Sequence, residues 1–224
     1  MTIESKFISE NNMAALYKAY TWNNDKWLSG FHDICQIELL FARDILNLYI
    51  SREAIMTVVS WGKLRNPRVT CPEKIYFTAE ELTDIRKMYS KIYCATSGLG
   101  PTYISKVLRF ANPYIAGAID TRIVRAFGKG DAASVKYSWL DLEVTNQGYG
   151  WYINKHQSNW PNAYYNWLQI LDEIKRELNQ AGIECPHPNS FIDSNLRYRG
   201  VWTSADVEMA LFTYSSQQLR TGST

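Results

Sequence analysis

Apolar side chains recur at intervals of three and four residues in one segment of this chain after another, which is the spacing of amphipathic α-helices. In the segment 33–50 these positions are Ile34, Ile37, Leu40, Phe41, Ile45 and Leu48. Helix-capping residues precede three such segments: Ser51, Thr78 with Glu81, and Thr203 with Asp206. Several helices joined by short connections predict an all-α protein.

The pattern also gives the bounds of the predicted helices. They cover residues 33–50, 52–64, 79–93, 101–111, 120–128, 161–181 and 204–215, with a further short helix at 138–143. Segments 147–160 and 182–200 are predicted to be irregular, and no pair of strands is predicted. We expect a single globular unit of two helical lobes, one formed by about residues 31–125 and the other by about 1–30 with 126–224.

Charge is unevenly distributed along the chain. The net charge of +2 is too small to indicate a nucleic-acid partner. Between residues 101 and 130, however, five basic side chains stand against one acid, a local charge of +4: Lys106, Arg109, Arg122, Arg125 and Lys129 against Asp120. Such a segment is compatible with phosphate binding and equally with a solvated helix face.

Cysteine and histidine positions do not indicate a metal site. The four cysteines, at positions 35, 71, 94 and 185, form neither a CxxC pair nor a zinc or iron–sulfur ligand set.

No apolar run approaches the roughly 18–20 residues that span a bilayer, and the polar N-terminal residues do not resemble a signal peptide. We expect a cytoplasmic protein whose thiols are reduced and mostly buried.

Two glycines precede the helix predicted at 101–111. Gly98 and Gly100 are separated by one residue, which allows a tight turn with positive φ angles. The first backbone N–H groups of the following helix lack intrahelical partners and suit a phosphate oxygen. Most Gly-x-Gly pairs are only turns, but this pair lies between two predicted helices, which favours a helix-hairpin-helix over residues 94–111.

A second element, Asp120, opens a predicted helix in the sequence Ala-Ile-Asp-Thr-Arg. Taken alone it is best explained as an N-cap, worth about 1 kcal/mol. Together, the glycine turn, the next helix and this aspartate resemble the helix-hairpin-helix DNA glycosylase superfamily. The key hairpin position is Thr102, and Asp120 lies eighteen residues beyond it, as in the endonuclease III and adenine-glycosylase branches. The specific match covers about 30 of 224 residues.

The resemblance implies a catalytic role for Asp120 in a cleft between the two lobes. Its carboxylate would stabilise positive charge on the sugar as the N-glycosidic bond breaks, and orient or deprotonate a water molecule. Bifunctional members carry a Schiff-base lysine where this chain has Thr102, so a monofunctional enzyme that leaves an abasic site is implied. Lys106, one helical turn further on, is expected to be a phosphate contact or a solvated side chain rather than a displaced nucleophile. No iron–sulfur cluster and no catalytic metal are implied, which leaves only a structural monovalent cation at the hairpin.

The resemblance also implies that the protein binds double-stranded DNA. We expect a monomer that is located in the cytoplasm and associated with the nucleoid. Expected contacts with the DNA backbone are Gly98, Leu99, Gly100, Thr102 and Lys106, and further candidates for phosphate contacts are Arg109, Arg122 and Arg125. A base that leaves the stack needs an aromatic pocket. By composition and position, the candidates for pocket or wedge are Trp61, Tyr149, Trp151 and Tyr152.

The base that is removed does not follow from the sequence. Monofunctional relatives remove mispaired adenine, alkylated purines, or thymine and uracil from mismatches. The superfamily also includes anti-phage glycosylases that excise bulky cytosines such as glucosylated hydroxymethylcytosine, so repair and phage defence both stay open. Two rival interpretations are a helix-hairpin-helix DNA-binding protein without catalysis, and a helical interaction protein with no DNA partner, which would show no salt-dependent affinity for DNA.

Overall fold

The computed structural model describes residues 3–64, 68–129, 137–146, 148 and 150–221, and this part of the chain is mostly helical, as predicted. Its α-helices are α1 (Ile3–Glu10), α2 (Met13–Lys18), α3 (His32–Leu46), α4 (Arg52–Trp61), α5 (Ala79–Thr83), α6 (Ile85–Ala95), α7 (Pro101–Ala111), α8 (Thr121–Phe127), α9 (Asn162–Gln180), α10 (Asn189–Asp193) and α11 (Ser204–Thr221). None of these helices is long and apolar enough to cross a membrane.

Three short antiparallel sheets accompany the helices, so the prediction that no strands pair is wrong. Their strands are β1 (Thr21–Trp22) with β2 (Asp25–Lys26), β3 (Tyr49–Ser51) with β4 (Lys74–Tyr76), and β5 (Val144–Asn146) with β6 (Trp151–Ile153). The register pairs Tyr49 with Tyr76 and Val144 with Ile153. These strands have only two or three residues, too few to show an alternating apolar pattern in the sequence.

Two helices lie at the centre of the protein. Helix α11 is buried on all sides over residues 204–215 and packs against α2, α8 and α9. Helix α7 packs against α3, α4 and α6. The buried apolar side chains around both helices form one continuous core, so residues on α7 and α11 that face each other are shielded from water.

The predicted capping residues are confirmed. Ser51 caps α4 by accepting a hydrogen bond from the Ala54 N–H, and Thr78 forms a capping box with Glu81 at the start of α5. At the start of α11, the Thr203 hydroxyl accepts the N–H of Asp206, whose carboxylate accepts the N–H of Thr203 in return. The helix predicted over 101–111 has these bounds in α7.

Some predicted elements differ from the structure for local reasons. The helix predicted over 33–50 ends at Leu46 because Leu48 takes a positive φ of 59° and the chain then turns into β3. The helix predicted over 79–93 is divided at Asp84, whose extended backbone and capping side chain begin α6. The helix predicted over 138–143 is absent, because the N–H groups of Trp139 and Leu140 both donate to the Phe127 carbonyl.

Buried charges connect the two central helices. Glu38 of α3 accepts hydrogen bonds from Arg109 of α7 at 2.7 Å and from Arg197 at 2.6 and 3.0 Å. Arg197 also donates to both carboxylate oxygens of Asp206 in α11 at 3.1 Å. We call these four residues the buried ion-pair network. Each charge has a partner, which is the condition for burying such groups without a large loss of stability.

The turn between α6 and α7 contains the two glycines. Gly98 has a φ of +81°, as predicted, whereas Gly100 has an ordinary φ of −84° and is the N-cap of α7. A Cβ on Gly98 would overlap the carbonyl oxygen of Arg68, because residues 68–70 run beside the turn and Thr70 pairs with Ser97. A Cβ on Gly100 would meet no atom within 4 Å. The fold therefore requires glycine at the first position only.

This difference gives a stability prediction. Gly98→Ser should lower the free energy of unfolding by about 2 kcal/mol or more, because it combines an unfavourable φ with a backbone overlap. Gly100→Ser is the matched control and should change it by less than about 0.5 kcal/mol, since serine is a good N-cap and space is open. Urea unfolding of both variants measures the effect. Equal destabilisation by the two substitutions would contradict this account of the turn.

Candidate active site

Asp120 is the N-cap of α8, as the sequence predicted. Its Oδ1 accepts hydrogen bonds from the backbone N–H groups of Arg122 at 2.8 Å and Ile123 at 3.2 Å. The residue is only 8% exposed, and within the described chain its Oδ2 accepts no hydrogen bond. The capping bonds therefore hold the carboxylate in place while leaving one oxygen for another partner.

A narrow cavity lies beside Asp120, between α7 and α11. It is lined by Tyr20, Trp22, Trp61, Lys106, Arg109, Ala118, Asp120, Glu208 and Phe212. The volume open to the centre of a water molecule is about 10 Å³, which is room for roughly one water. The cavity thus combines aromatic walls with several ionisable groups, and in this form it is too small for a nucleobase.

Lys106 lies inside this cavity. It is 6% exposed, and its Nζ is 4.9 Å from the ring centre of Trp22, 5.4 Å from that of Trp61 and 5.1 Å from that of Tyr103. Such contacts between an ammonium and aromatic faces are favourable. Burial lowers the pKa of Lys106, while the charge of Asp120, and that of Glu208 when it is ionised, act in the opposite direction.

The prediction of a solvated or DNA-contacting Lys106 is therefore wrong as to exposure. The residue follows Thr102 by one turn, but α7 is a central helix whose last two turns are buried. Its ammonium is enclosed by aromatic rings, and a phosphate on the protein surface could not reach it without displacing them. The side chain belongs to the cavity that Asp120 lines.

Glu208 is a cavity residue that the sequence analysis missed. It lies on α11 and is 6% exposed. Burial raises the pKa of Glu208 to about 8, and the charge of Asp120 adds to this effect; Arg109, Lys106 and the N–H of Ala118 lower it. The charge of Glu208, when it is ionised, raises the pKa of the buried hydroxyls of Tyr20 and Tyr164. Glu208 is therefore mostly protonated at neutral pH.

Close packing holds the Glu208 side chain in the cavity. A Cβ on Gly117 would lie 2.9 Å from the Glu208 Cβ and would overlap the Leu171 side chain of α9. Only glycine therefore allows the backbone before Asp120 to lie this close to α11. A sequence signal for Glu208 does exist. It is the single acid in the otherwise apolar stretch Val-Glu-Met-Ala-Leu-Phe of a predicted helix. An acid at such a position is either on the exposed face of the helix or a buried functional group.

Arg109 belongs to the buried ion-pair network and also lines the cavity. It is 2% exposed, donates to Glu38 at 2.7 Å, and places its Nε 4.0 Å from Glu208. The prediction that Arg109 contacts phosphate is therefore wrong, since the guanidinium is committed to internal carboxylates. Arg122 is exposed over the Trp22 and Phe212 rings, and Arg125 is half-buried over Trp151, so phosphate contacts by these two stay predictions.

The hairpin residues differ in accessibility. Gly98 is exposed, and Gly100 and Thr102 are half-buried at the start of α7, so their backbone groups can be approached from solvent. The Leu99 side chain is buried in the core, which limits any DNA contact of Leu99 to its backbone. Contacts of these four residues with DNA stay predictions.

Of the three predicted pocket residues that the structure describes, only Trp61 lines the cavity with Asp120. Trp61 ends α4 and lines the cavity, and its indole N–H is buried without a hydrogen-bond partner among the described residues. Trp151 and Tyr152 lie on β6 and do not line the cavity; the Trp151 ring instead packs on Arg125. Tyr149 lies outside the described residues. The aromatic wall opposite Trp61 is Trp22, which the sequence analysis did not single out.

A second cluster of ionisable groups lies at the first turn of α11. Ligand atoms of Cys185, His187 and Asp206 are within 4.8 Å of one another. Asp206 is already paired with Arg197, the His187 Nε2 is 2.9 Å from the Val201 carbonyl oxygen, and burial raises the pKa of the Cys185 thiol. All three side chains therefore take part in internal hydrogen bonds or ion pairs. All four cysteines are free, and only Cys94 is exposed.

Comparison of the chain with models of protein families, with curated proteins and with solved structures found no match. A functional proposal therefore depends on the cavity itself. The combination to be explained is a fixed carboxylate, a carboxyl group with a raised pKa and an enclosed lysine within one aromatic cavity.

The raised pKa of Glu208 predicts a pH-dependent stability. Between about pH 4.5 and about pH 8 the unfolded chain releases the Glu208 proton while the folded protein keeps it. The free energy of unfolding should therefore fall as pH rises through this range, by up to about 1.4 kcal/mol per unit from this residue. Glu208→Gln, measured by urea unfolding across the range, should remove this contribution and leave a flatter curve.

The exposed Glu173 of α9 provides the control. Glu173→Gln removes a carboxylate of the same type from a solvated helix face, so its curve should run parallel to that of the unmodified protein. If the Glu208→Gln curve also runs parallel, Glu208 is ionised in the folded protein at neutral pH and the account given for the cavity is wrong.

Proposed function

We propose that this protein is a monofunctional DNA glycosylase, which hydrolyses the N-glycosidic bond of a flipped-out base and leaves an abasic site. One observation carries the proposal: the carboxylate of Asp120 is fixed at the edge of a buried aromatic cavity, eighteen residues after Thr102 at the start of α7. Neither the hairpin nor the N-cap alone would require a cavity at this aspartate.

The chemistry follows from the position of Asp120. As the bond between the sugar C1′ and the base nitrogen breaks, positive charge develops on the sugar. A carboxylate oxygen free of hydrogen bonds stabilises that charge and can take a proton from the attacking water. The two backbone N–H groups on Oδ1 keep the carboxylate aimed without any rearrangement during the reaction.

Double-stranded DNA is the proposed partner, bound by a monomer in the cytoplasm and nucleoid. In this proposal α6, the glycine turn and α7 form the helix-hairpin-helix, and the groups around α7 and around α11 are the two lobes that meet at the cavity. The open space over Gly100 suits a phosphate that approaches the backbone closely. No organic cofactor, iron–sulfur cluster or catalytic metal is proposed; a structural monovalent cation at the hairpin stays a prediction.

Base binding requires the cavity to open. The Trp22 and Trp61 rings, whose centres are 5.9 Å apart, would have to separate to admit a damaged, mispaired or modified base. The unpartnered indole N–H of Trp61 would then be available to a carbonyl oxygen of that base. We take a bulky modified cytosine of phage DNA as the first substrate to test, beside the substrates of DNA repair.

Asp120→Asn tests the catalytic role. Asparagine is as good an N-cap as aspartate, so folding and DNA affinity should be retained, while base excision should fall by about 100-fold or more because the carboxylate is lost. The measurement is single-turnover release of the base from modified genomic DNA, followed by mass spectrometry. Asp84→Asn is the matched control, since Asp84 caps α6 through the same two backbone bonds but lies outside the cavity.

Each outcome distinguishes the glycosylase from its rivals. Excision that survives in Asp120→Asn would show that this residue is not the catalytic carboxylate. Salt-dependent DNA binding by the unmodified protein without release of any base would favour the non-catalytic DNA-binding protein. Absence of salt-dependent DNA binding would favour the helical interaction protein.

Borohydride trapping tests the monofunctional assignment. Threonine at position 102 cannot form a Schiff base, so borohydride should trap no covalent complex with DNA, and strand cleavage should require later treatment with alkali. Denaturing gel electrophoresis of the reaction detects either event. A trapped complex that disappears in Lys106→Gln would instead identify the cavity lysine as a nucleophile and make the enzyme bifunctional.

A further inference from the structure

Two carboxyl groups reach the same cavity from different elements. Asp120 belongs to the N-terminus of α8, and Glu208 belongs to the second turn of α11. Hydrolysis at a sugar carbon commonly uses two such groups, one to stabilise the cation and activate water and the other to give a proton to the leaving group. The surroundings of the two residues differ in the way that this division of roles requires.

Glu208 has the surroundings of a proton donor. Within the described chain the only cation within 4.0 Å of it is Arg109, which also donates a shorter hydrogen bond, 2.7 Å, to Glu38. The Glu208 Cβ and Cγ lie against Gly117, the residue is 6% exposed, and the side chain lines the cavity. Glu208 accepts one backbone N–H, that of Ala118, whereas Asp120 accepts two through a single oxygen.

Charged and titratable groups reach Glu208 from α7, α8, α9 and the segment after α2. Arg109 and Lys106 face it from α7, and Asp120 faces it from α8. The buried hydroxyls of Tyr20 and Tyr164 face it from the segment after α2 and from α9. Burial is the largest influence in this set and favours the protonated form, so the pKa of Glu208 lies near 8.

The leaving group decides whether an acid is needed. A neutral base that keeps the electron pair of the C1′–N bond departs as an anion unless it receives a proton, whereas a base that is already cationic departs as a neutral molecule. We propose that Glu208 is the general acid that protonates the departing base, and that the substrate is therefore a neutral base rather than a cationic alkylated purine. This inference rests on the proposed glycosylase function.

The proposed reaction balances as a hydrolysis. The C1′–N bond breaks, its electron pair goes to the base, and the Glu208 proton passes to a nitrogen or oxygen of that base. The sugar becomes an oxocarbenium ion next to Asp120. The oxygen of water then bonds to C1′ and one of its protons passes to Asp120. Transfer of that proton through solvent to Glu208 restores both groups, so one water is consumed and one free base is released.

Two substrates separate the acid from a structural role. Duplex DNA with one cationic 7-methylguanine and duplex DNA with one neutral base (uracil, mispaired adenine or glucosylated hydroxymethylcytosine) are each treated with excess protein in single-turnover reactions. The unmodified protein should release a neutral base, and Glu208→Gln should lower that rate by about 100-fold or more. Any release of 7-methylguanine should be retained within about threefold in the variant. Glu173→Gln is the control for loss of a carboxylate elsewhere.

The outcomes are distinct. Release of 7-methylguanine alone by the unmodified protein, or equal release of a neutral base by Glu208→Gln, would overturn the inference while leaving a glycosylase. Release of no base at all would overturn the proposed function and the inference with it. A second measurement does not need the variant: release of a neutral base should decline as pH rises through about 8, and a rate that increases there would count against a protonated acid.

Discussion

The buried ion-pair network of Glu38, Arg109, Arg197 and Asp206 is the interaction on which the rest of the structure depends. It joins α3, α7 and α11 with the loop that carries Arg197, at a depth where no exposed fraction exceeds 3%. Four charges cannot be buried there unless each is neutralised, and removal of one partner leaves an uncompensated charge that typically costs about 3–5 kcal/mol. The relative position of the two central helices is therefore fixed by charge pairing as well as by apolar packing.

This network also determines the electrostatics of the cavity. Because Arg109 gives its short hydrogen bond to Glu38, it reaches Glu208 only at 4.0 Å and does not fully compensate the burial of that carboxyl group. Glu208 consequently keeps its proton, while Asp120 accepts two backbone N–H groups at the start of α8. Two carboxyl groups of one cavity are thus placed in different surroundings by interactions that are themselves structural, which is how acid and base roles are separated in general.

The sequence predicted those features that depend on local patterns. Ser51, the Thr78–Glu81 box and Asp120 are caps because their side chains bond to backbone within three residues, and such bonds can be inferred from neighbours in sequence. Burial of a charged side chain depends on contacts far along the chain. For that reason the sequence predicts a phosphate contact or a solvated side chain for Lys106 and gives no role to Glu208, although both lie in the cavity with Asp120.

The closed cavity has a consequence for selectivity if the proposed function is correct. The Trp61 carbonyl accepts hydrogen bonds from the Trp22 indole at 2.9 Å and the Asn23 side chain at 2.6 Å, and the next carbonyl, of Gly62, accepts the Tyr103 hydroxyl at 2.6 Å. These bonds tie the end of α4, which carries Trp61, to Trp22, Asn23 and Tyr103. A free base in solution gains little binding energy with which to separate the two aromatic rings. A base on duplex DNA would gain more, because the DNA backbone would also contact the hairpin. Energy from those distant contacts can open the walls, so the closed cavity favours a base delivered by bound DNA over the same base free in solution.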